Sequence, residues 1–216
     1  FPMILRDRPT GLTLFFVLRG SIMPRIRNVL LFNIALATAV TITHGTLFQF
    51  KVTLTAIPFT LMGLPLAIFL GFRNTAAYDR YWEARKLWGE LVTRCRDLAR
   101  QCLSLLDGPA PEVGPVTRRL LLRGVAFCHA LRVQLRRSTD SAALQALLEP
   151  AEWQALARAS NRPEALLRHM GAELAQCRRR GWIDSLCSTH IDRTLSALNA
   201  AAAGCERIAH TPLPFS

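Results

Sequence analysis

The chain has 216 residues, enough for one or two domains, with 27 Lys+Arg against 15 Asp+Glu and a formal net charge of +12. Half of the residues are hydrophobic and only 19% are charged, below the roughly 25% of ordinary globular proteins. This excludes disordered and collagenous classes, and it argues against a nucleic-acid binder, which is normally rich in charge.

The N-terminal segment, 1–28, carries Arg6, Arg8, Arg19, Arg25 and Arg27. Its apolar stretch at 13–18 is too short to cross a bilayer and reads as an interfacial or core-docked helix. From Asn28 to Phe50 there is no Lys, Arg, Asp or Glu, and from Val52 to Phe72 there is again none. Each run supplies the roughly 20 residues that a bilayer span needs. The first run is too long and starts too late for a signal peptide. Residues 29–72 are therefore expected to form a transmembrane hairpin. Arg73, Arg80, Arg85 and Lys86 follow it, whereas Lys51 alone is positive between the spans. The positive-inside rule then places both ends of the hairpin in the cytoplasm and a short turn, His44–Lys51, outside. Much of the +12 is accounted for by this topology without nucleic acid.

Residues 73–216 read as a helical cytosolic domain with no strand signal. Tyr81, Ala84, Trp88, Leu91, Cys95, Leu98 and Cys102 recur at steps of three and four, one apolar helical stripe. That helix is expected to continue directly from the second span. The sequence Asp107-Gly108-Pro109-Ala110-Pro111 breaks it, and Gly114-Pro115 prolongs the loop. A helix over 116–137 is predicted to turn Leu122, Val125, Ala126, His129 and Val133 inward. Shorter helices are predicted over 141–148, 151–159 and 163–179, and a long one over 182–208.

Six cysteines (95, 102, 128, 177, 187 and 205) show no C-x-x-C spacing and read as small buried residues, reduced in a cytoplasmic domain. Five histidines are scattered, with no H-E-x-x-H pair, so no metal site is expected. No phosphate-binding glycine loop and no G-x-S-x-G occurs, and carboxylates are few and dispersed. No enzymatic activity and no cofactor are predicted. Arg178-Arg179-Arg180 reads as a solvated turn before it reads as a phosphate grip.

Two segments carry more. One runs from Ile57-Pro58-Phe59-Thr60 through L-M-G-L-P-L-A-I-F-L-G-F-R-N-T-A-A-Y-D-R-Y-W-E-A-R-K-L-W-G, and the other is G-C-E-R-I-A-H-T-P-L-P-F at 204–215. Together they resemble the bacterial branch of the bestrophin channel family, over essentially the whole chain. The resemblance implies an all-α membrane protein: a transmembrane helical hairpin that continues into a helical cytosolic bundle and assembles as a homopentamer around a central pore. It implies a multi-pass protein of the cell inner membrane, with lipid and permeant ions as partners. Animal members of the family pass chloride and other anions, and bacterial members can favour monovalent cations such as sodium.

Carried onto this chain, the family's pore neck falls on Leu64, Ile68 and Phe72. These are four apart, so they share one side of a helix and line roughly 12 Å of path. The alternative is that they pack against neighbouring helices. Pro65 permits a bend near the neck, and Gly63 and Gly71 allow close helix approach. Arg73 is expected to anchor the helix end, wet or paired with a carboxylate such as Asp79 or Glu83. The family's second constriction, a cytosolic aperture, falls near Leu186 and Cys187. The resemblance also implies two further membrane helices after the T-P-x-P-F motif, where this chain stops. The family's calcium site lies in that later region, so none is expected here.

Two readings of a different class stay open from the residues alone. One is a membrane-anchored helical interaction module without a pore. The other is a basic helical nucleic-acid-binding protein whose apolar runs are its core.

Overall fold

A computed structural model describes residues 23–42, 46–47, 50–51 and 56–212 of the chain. The short apolar stretch at 13–18, His44 and the terminal L-P-F-S lie outside these residues. The chain divides into two compact units, Phe1–Pro65 and Leu66–Ser216.

The first unit contains α1 (Met23–Ile42), about 30 Å of helix. From Ile26 to Ile42 every residue is exposed, including Leu30, Phe32 and Ile34. Three polar side chains within this apolar run turn back on their own helix. Asn33 Nδ2 donates to the Val29 carbonyl at 2.9 Å, Thr38 Oγ1 to the Ile34 carbonyl at 2.8 Å, and Thr41 Oγ1 to the Ala37 carbonyl at 2.8 Å. A helix whose polar groups are satisfied internally can stand in hydrocarbon. After it, β1 (Thr46–Leu47) pairs antiparallel with β2 (Phe50–Lys51), Thr46 opposite Lys51 and Leu47 opposite Phe50. No strand was expected here, because a two-residue ladder is too short to leave an alternating pattern. The pairing falls where the turn between the spans was expected.

The second apolar run opens α2 (Ala56–Leu105), one unbroken helix of 50 residues. This is the continuous helix expected from the sequence. Among the described residues it alone is long and apolar enough to cross a membrane, and none of its apolar window is buried. The apolar part of α1, Ile26–Ile42, is shorter. Among the described residues neither run is buried as core, which the nucleic-acid-binding reading required.

The second unit packs the rest of α2 with α3 (Ala110–Leu135), α4 (Ala142–Gln145), α5 (Pro150–Ala157), α6 (Arg162–Arg179) and α7 (Ser185–His210). Leu91 and Leu98 of α2, Phe127 and Leu131 of α3, Leu166 of α6 and Leu198 of α7 are almost wholly buried in one core. The helix ends follow local chemistry. Pro109 precedes α3, and the Asn161 side chain accepts from the Glu164 N–H at 3.1 Å to cap α6. Gly108 is confined by packing: a Cβ there would meet Val113 Cγ2 at 2.5 Å and Trp182 Cδ1 at 2.8 Å. Only a bare backbone lets the α2–α3 turn lie against the indole.

Three expectations change. Helix α3 starts at Ala110, not after Gly114-Pro115. Pro111 suits the first helical turn, and Pro115, inside the helix, forfeits one ladder bond without ending it. The inward face of α3 also differs. Val125 is exposed, while Gly124, Phe127, Ala130 and Leu131 are buried. The cause is that α3 is covered on more than one side, by α2 and by α6 and α7, so its buried arc exceeds one stripe. Third, on α2 the stripe holds at Leu91, Leu98 and Cys102 but fails at Tyr81 and Trp88, which are exposed.

Candidate functional site

Leu64, Ile68 and Phe72 stand on α2 at steps of four, and their side chains are 65%, 51% and 70% exposed. Pro65 interrupts the helix ladder once without ending the helix. Arg73 follows directly and is exposed. Of its two expected carboxylate partners, Glu83 is engaged elsewhere, by Arg207 of α7, and Asp79 is exposed.

That ion pair belongs to a clamp between α2 and the end of α7. Arg80 Nη1 donates to the Thr211 carbonyl at 2.6 Å, and Arg207 pairs with Glu83. One turn further along, Gly204 faces Leu87, so closely that a Cβ would stand 2.9 Å from Leu87 Cδ2. The two sequence motifs, some 120 residues apart, are thus in contact in the fold. Their co-occurrence has a physical cause, since each supplies half of one joint. Gln134 Nε2 donating to Glu206 Oε1 at 2.7 Å ties the same stretch of α7 to α3.

The expected aperture residues sit in the first turn of α7. Leu186 is 75% exposed, whereas Cys187 is half-buried and packed against the core. Asp184 precedes them as the cap and accepts from the Cys187 N–H at 2.8 Å. That backbone hydrogen bond holds the Asp184 carboxyl below the usual carboxylate range. A carboxylate so depressed stabilises the folded helix end above its ordinary titration range. The contribution is lost as pH falls through the lowered value, below about pH 4. Amide exchange at Leu186–Ser188 should therefore rise on acidification relative to an Asp184→Asn variant measured at the same pH, since the amide cap does not titrate. Identical pH profiles for the two proteins would contradict the assignment.

A polar cluster between α3, α5 and α6 escaped the sequence reading. Glu173 is buried and holds two guanidinium groups: Arg119, whose Nε donates at 3.0 Å, and Arg123. Arg123 Nε also donates to Glu152 Oε1 at 2.6 Å, and His169 Nδ1 lies 3.4 Å from that oxygen. The pairing with Glu173 raises Arg119 above its ordinary value. The signal was present in the sequence, because Glu173 shares the inward face of α6 with Leu166, Met170 and Cys177, a place a carboxylate occupies only when paired. Among the described residues no group of three or more His, Cys, Asp or Glu is placed to hold a metal.

Comparison with known proteins follows this geometry. Residues 3–216 match the family described as Bacterial/Fungal Bestrophin protein. A voltage-dependent anion channel-forming protein of Mesorhizobium japonicum is 43% identical over 215 residues, covering 99% of this chain and 67% of that protein. The Escherichia coli protein YneE, of the same description, is 35% identical over 214 residues, 99% of this chain and 69% of its own. The crystal structure of a point variant of a bacterial bestrophin homologue from Klebsiella pneumoniae superposes with a TM-score of 0.81 at 35% identity. It covers 91% of this chain and 70% of that one. With a match along nearly its whole length and a shared fold, the chain belongs to the bacterial and fungal bestrophin family.

Proposed function

We propose that the chain is a subunit of a homopentameric ion channel of the inner membrane, with Leu64, Ile68 and Phe72 as three stacked apolar rings on its central axis. The observation that carries this reading is the fully exposed apolar stretch of α2 with a stripe at four-residue spacing, in a chain of this family. Five copies would close these side chains into a constriction where an ion must shed its hydration, and such a neck gates by dewetting. The relatives' description as anion channel-forming proteins supports conduction. The apolar rings themselves select neither sign of charge.

Assembly has its own support. Tyr78, Tyr81, Trp88 and Val92 lie along α2 at helical steps and are all exposed. Contiguous apolar surface of this kind marks a contact with another molecule, and a homo-oligomer presents it to a second copy. The excess of Lys and Arg on both flanks of the hairpin supports cytoplasmic ends. In this arrangement Arg73 anchors the helix end below the neck, and Leu186, outward at the start of α7, forms the second aperture with Cys187 beside it.

The test is salt release from loaded liposomes. Vesicles containing the purified chain should lose trapped KCl far faster than protein-free vesicles, and native mass spectrometry should find five copies. Release no faster than the protein-free rate, or a monomer, would contradict the proposal.

A further inference from the structure

The α2–α3 contact holds a feature that ion conduction does not use. Cys95 of α2 and Cys128 of α3 face each other with their sulfurs 3.5 Å apart, both half-buried. The approach has a structural cause. Gly124 stands one turn before Cys128 on α3, and a Cβ there would already lie 3.2 Å from Leu98 Cδ2 of α2. The bare glycine lets the helices come together, and Cys95 Sγ points at the Gly124 carbonyl 3.9 Å away. The two thiols therefore meet one turn from Gly124, where only the Leu98 side chain stands between the helices.

We propose that Cys95 and Cys128 form a reversible oxidation site for hydroperoxides, closing to an intrachain disulfide that ties α2 to α3. The sulfurs must approach by about 1.5 Å to reach the roughly 2.05 Å of a disulfide bond, a movement within reach of side-chain rotation. The contact lets either sulfur donate, and the opposed shifts of the two thiols, Cys95 down and Cys128 up, assign the roles. Hydrogen bonding with Cys95 and burial push the Cys128 thiol up, so Cys128 keeps its proton and donates it. A thiolate on Cys95 is stabilised by that donation and is the nucleophile. It attacks one oxygen of the peroxide, the O–O bond breaks, and Cys95 becomes a sulfenic acid as hydroxide leaves. Cys128 then attacks the sulfenic sulfur. The S–O bond breaks, the disulfide forms, and the Cys128 proton and the hydroxide leave as water. In sum, two thiols and one hydrogen peroxide give one disulfide and two waters. In a reducing cytoplasm the pair rests as thiols and a dithiol reductant restores it.

The other cysteines are poorer candidates. Cys102, Cys177 and Cys205 are buried and pushed up by that burial, Cys102 to about 12, and Asp184 raises Cys187.

The test treats the reduced, purified chain in detergent with hydrogen peroxide, removes the excess, and examines it by mass spectrometry and thiol titration under denaturing conditions. The expected product has lost two hydrogens and two of its six thiols, and dithiothreitol restores all six. After trypsin, the dipeptide Cys95-Arg96 should be joined to the peptide Gly124–Arg132. Neither Cys95→Ser nor Cys128→Ser should lose two hydrogens under the same dose. Absence of the joined peptide from the treated wild-type chain overturns the proposal, whether or not the variants fold, as does an undiminished loss of two hydrogens in both variants.

Discussion

Replacing Leu64, Ile68 and Phe72 together by alanine is expected to raise the rate of salt release from vesicles by about tenfold or more. The three side chains are exposed and four residues apart on α2. In a five-fold assembly each becomes a ring, and alanine removes most of its apolar bulk. The barrier at such a neck is the hydration an ion must give up, together with the free energy of keeping water in a narrow apolar passage. Lowering it by 1.4 kcal/mol gives roughly a tenfold rate, and three rings act on the same barrier. The control uses the opposite side of the helix. Leu66 and Leu70 are also exposed but lie about 200° around the axis from the stripe. Their replacement by alanine should leave release unchanged. Equal effects of the two sets, or no effect of the first, would place the conduction path elsewhere.

The second large effect concerns stability. Glu173→Ala should cost about 3–5 kcal/mol, the range for breaking a buried ion pair from one side. For a chain of this size that corresponds to a melting point lower by roughly 10 °C. Glu173 receives Arg119 and Arg123, and the Glu173 and Arg123 side chains are only 10% and 13% exposed. Removing the carboxylate leaves Arg123 with Glu152 alone and Arg119 without its partner. Most of the loss is thus the penalty of uncompensated charge rather than the worth of the pair. A double variant, Glu173→Ala with Arg119→Met, removes the cation left without a partner and should therefore be closer to wild type than Glu173→Ala alone. Thermal unfolding in detergent measures both. A loss below about 1 kcal/mol for the single variant would show that the cluster is solvated.

Which features could be read in advance follows from how local their causes are. The two uncharged runs, the cation-rich flanks and the long continuous helix α2 were legible, because run length, charge placement and a three-to-four residue repeat are properties of adjacent residues. The exposure of Ile68 and Phe72 agrees with that reading, while their role as rings rests on the family pattern. The α3 face was misread because a helix covered on several sides has no single stripe, as buried Phe127 and exposed Val125 show. The expected loop at Gly114-Pro115 failed because Pro109 and Pro111 already start the helix, and Pro115 within it removes a single ladder bond. The Arg80–Thr211 and Glu83–Arg207 joints link residues far apart in the chain and depend on which helices meet. Nothing local announces them. The same holds for the Cys95–Cys128 contact, which made two cysteines without motif spacing into neighbours. Glu173 is intermediate: its inward position was visible in the periodicity of α6, and its partners on α3 were not.

The joint between the two motifs also bears on how α2 is held. In the second unit α2 contributes Leu91, Leu98 and Cys102 to the core and is fixed to α7 through Arg80, Glu83 and Leu87. Residues that line a narrow passage must be positioned closely, and a site on a packed helix is more closely positioned than one on a loop.

The most direct measurement is single-channel recording of the purified chain in a planar bilayer under a KCl gradient. The account predicts discrete current steps of uniform size, absent from protein-free bilayers, with a reversal potential displaced from zero toward that of the favoured ion. A bilayer that stays as quiet as the protein-free membrane, or currents without discrete steps, would contradict it.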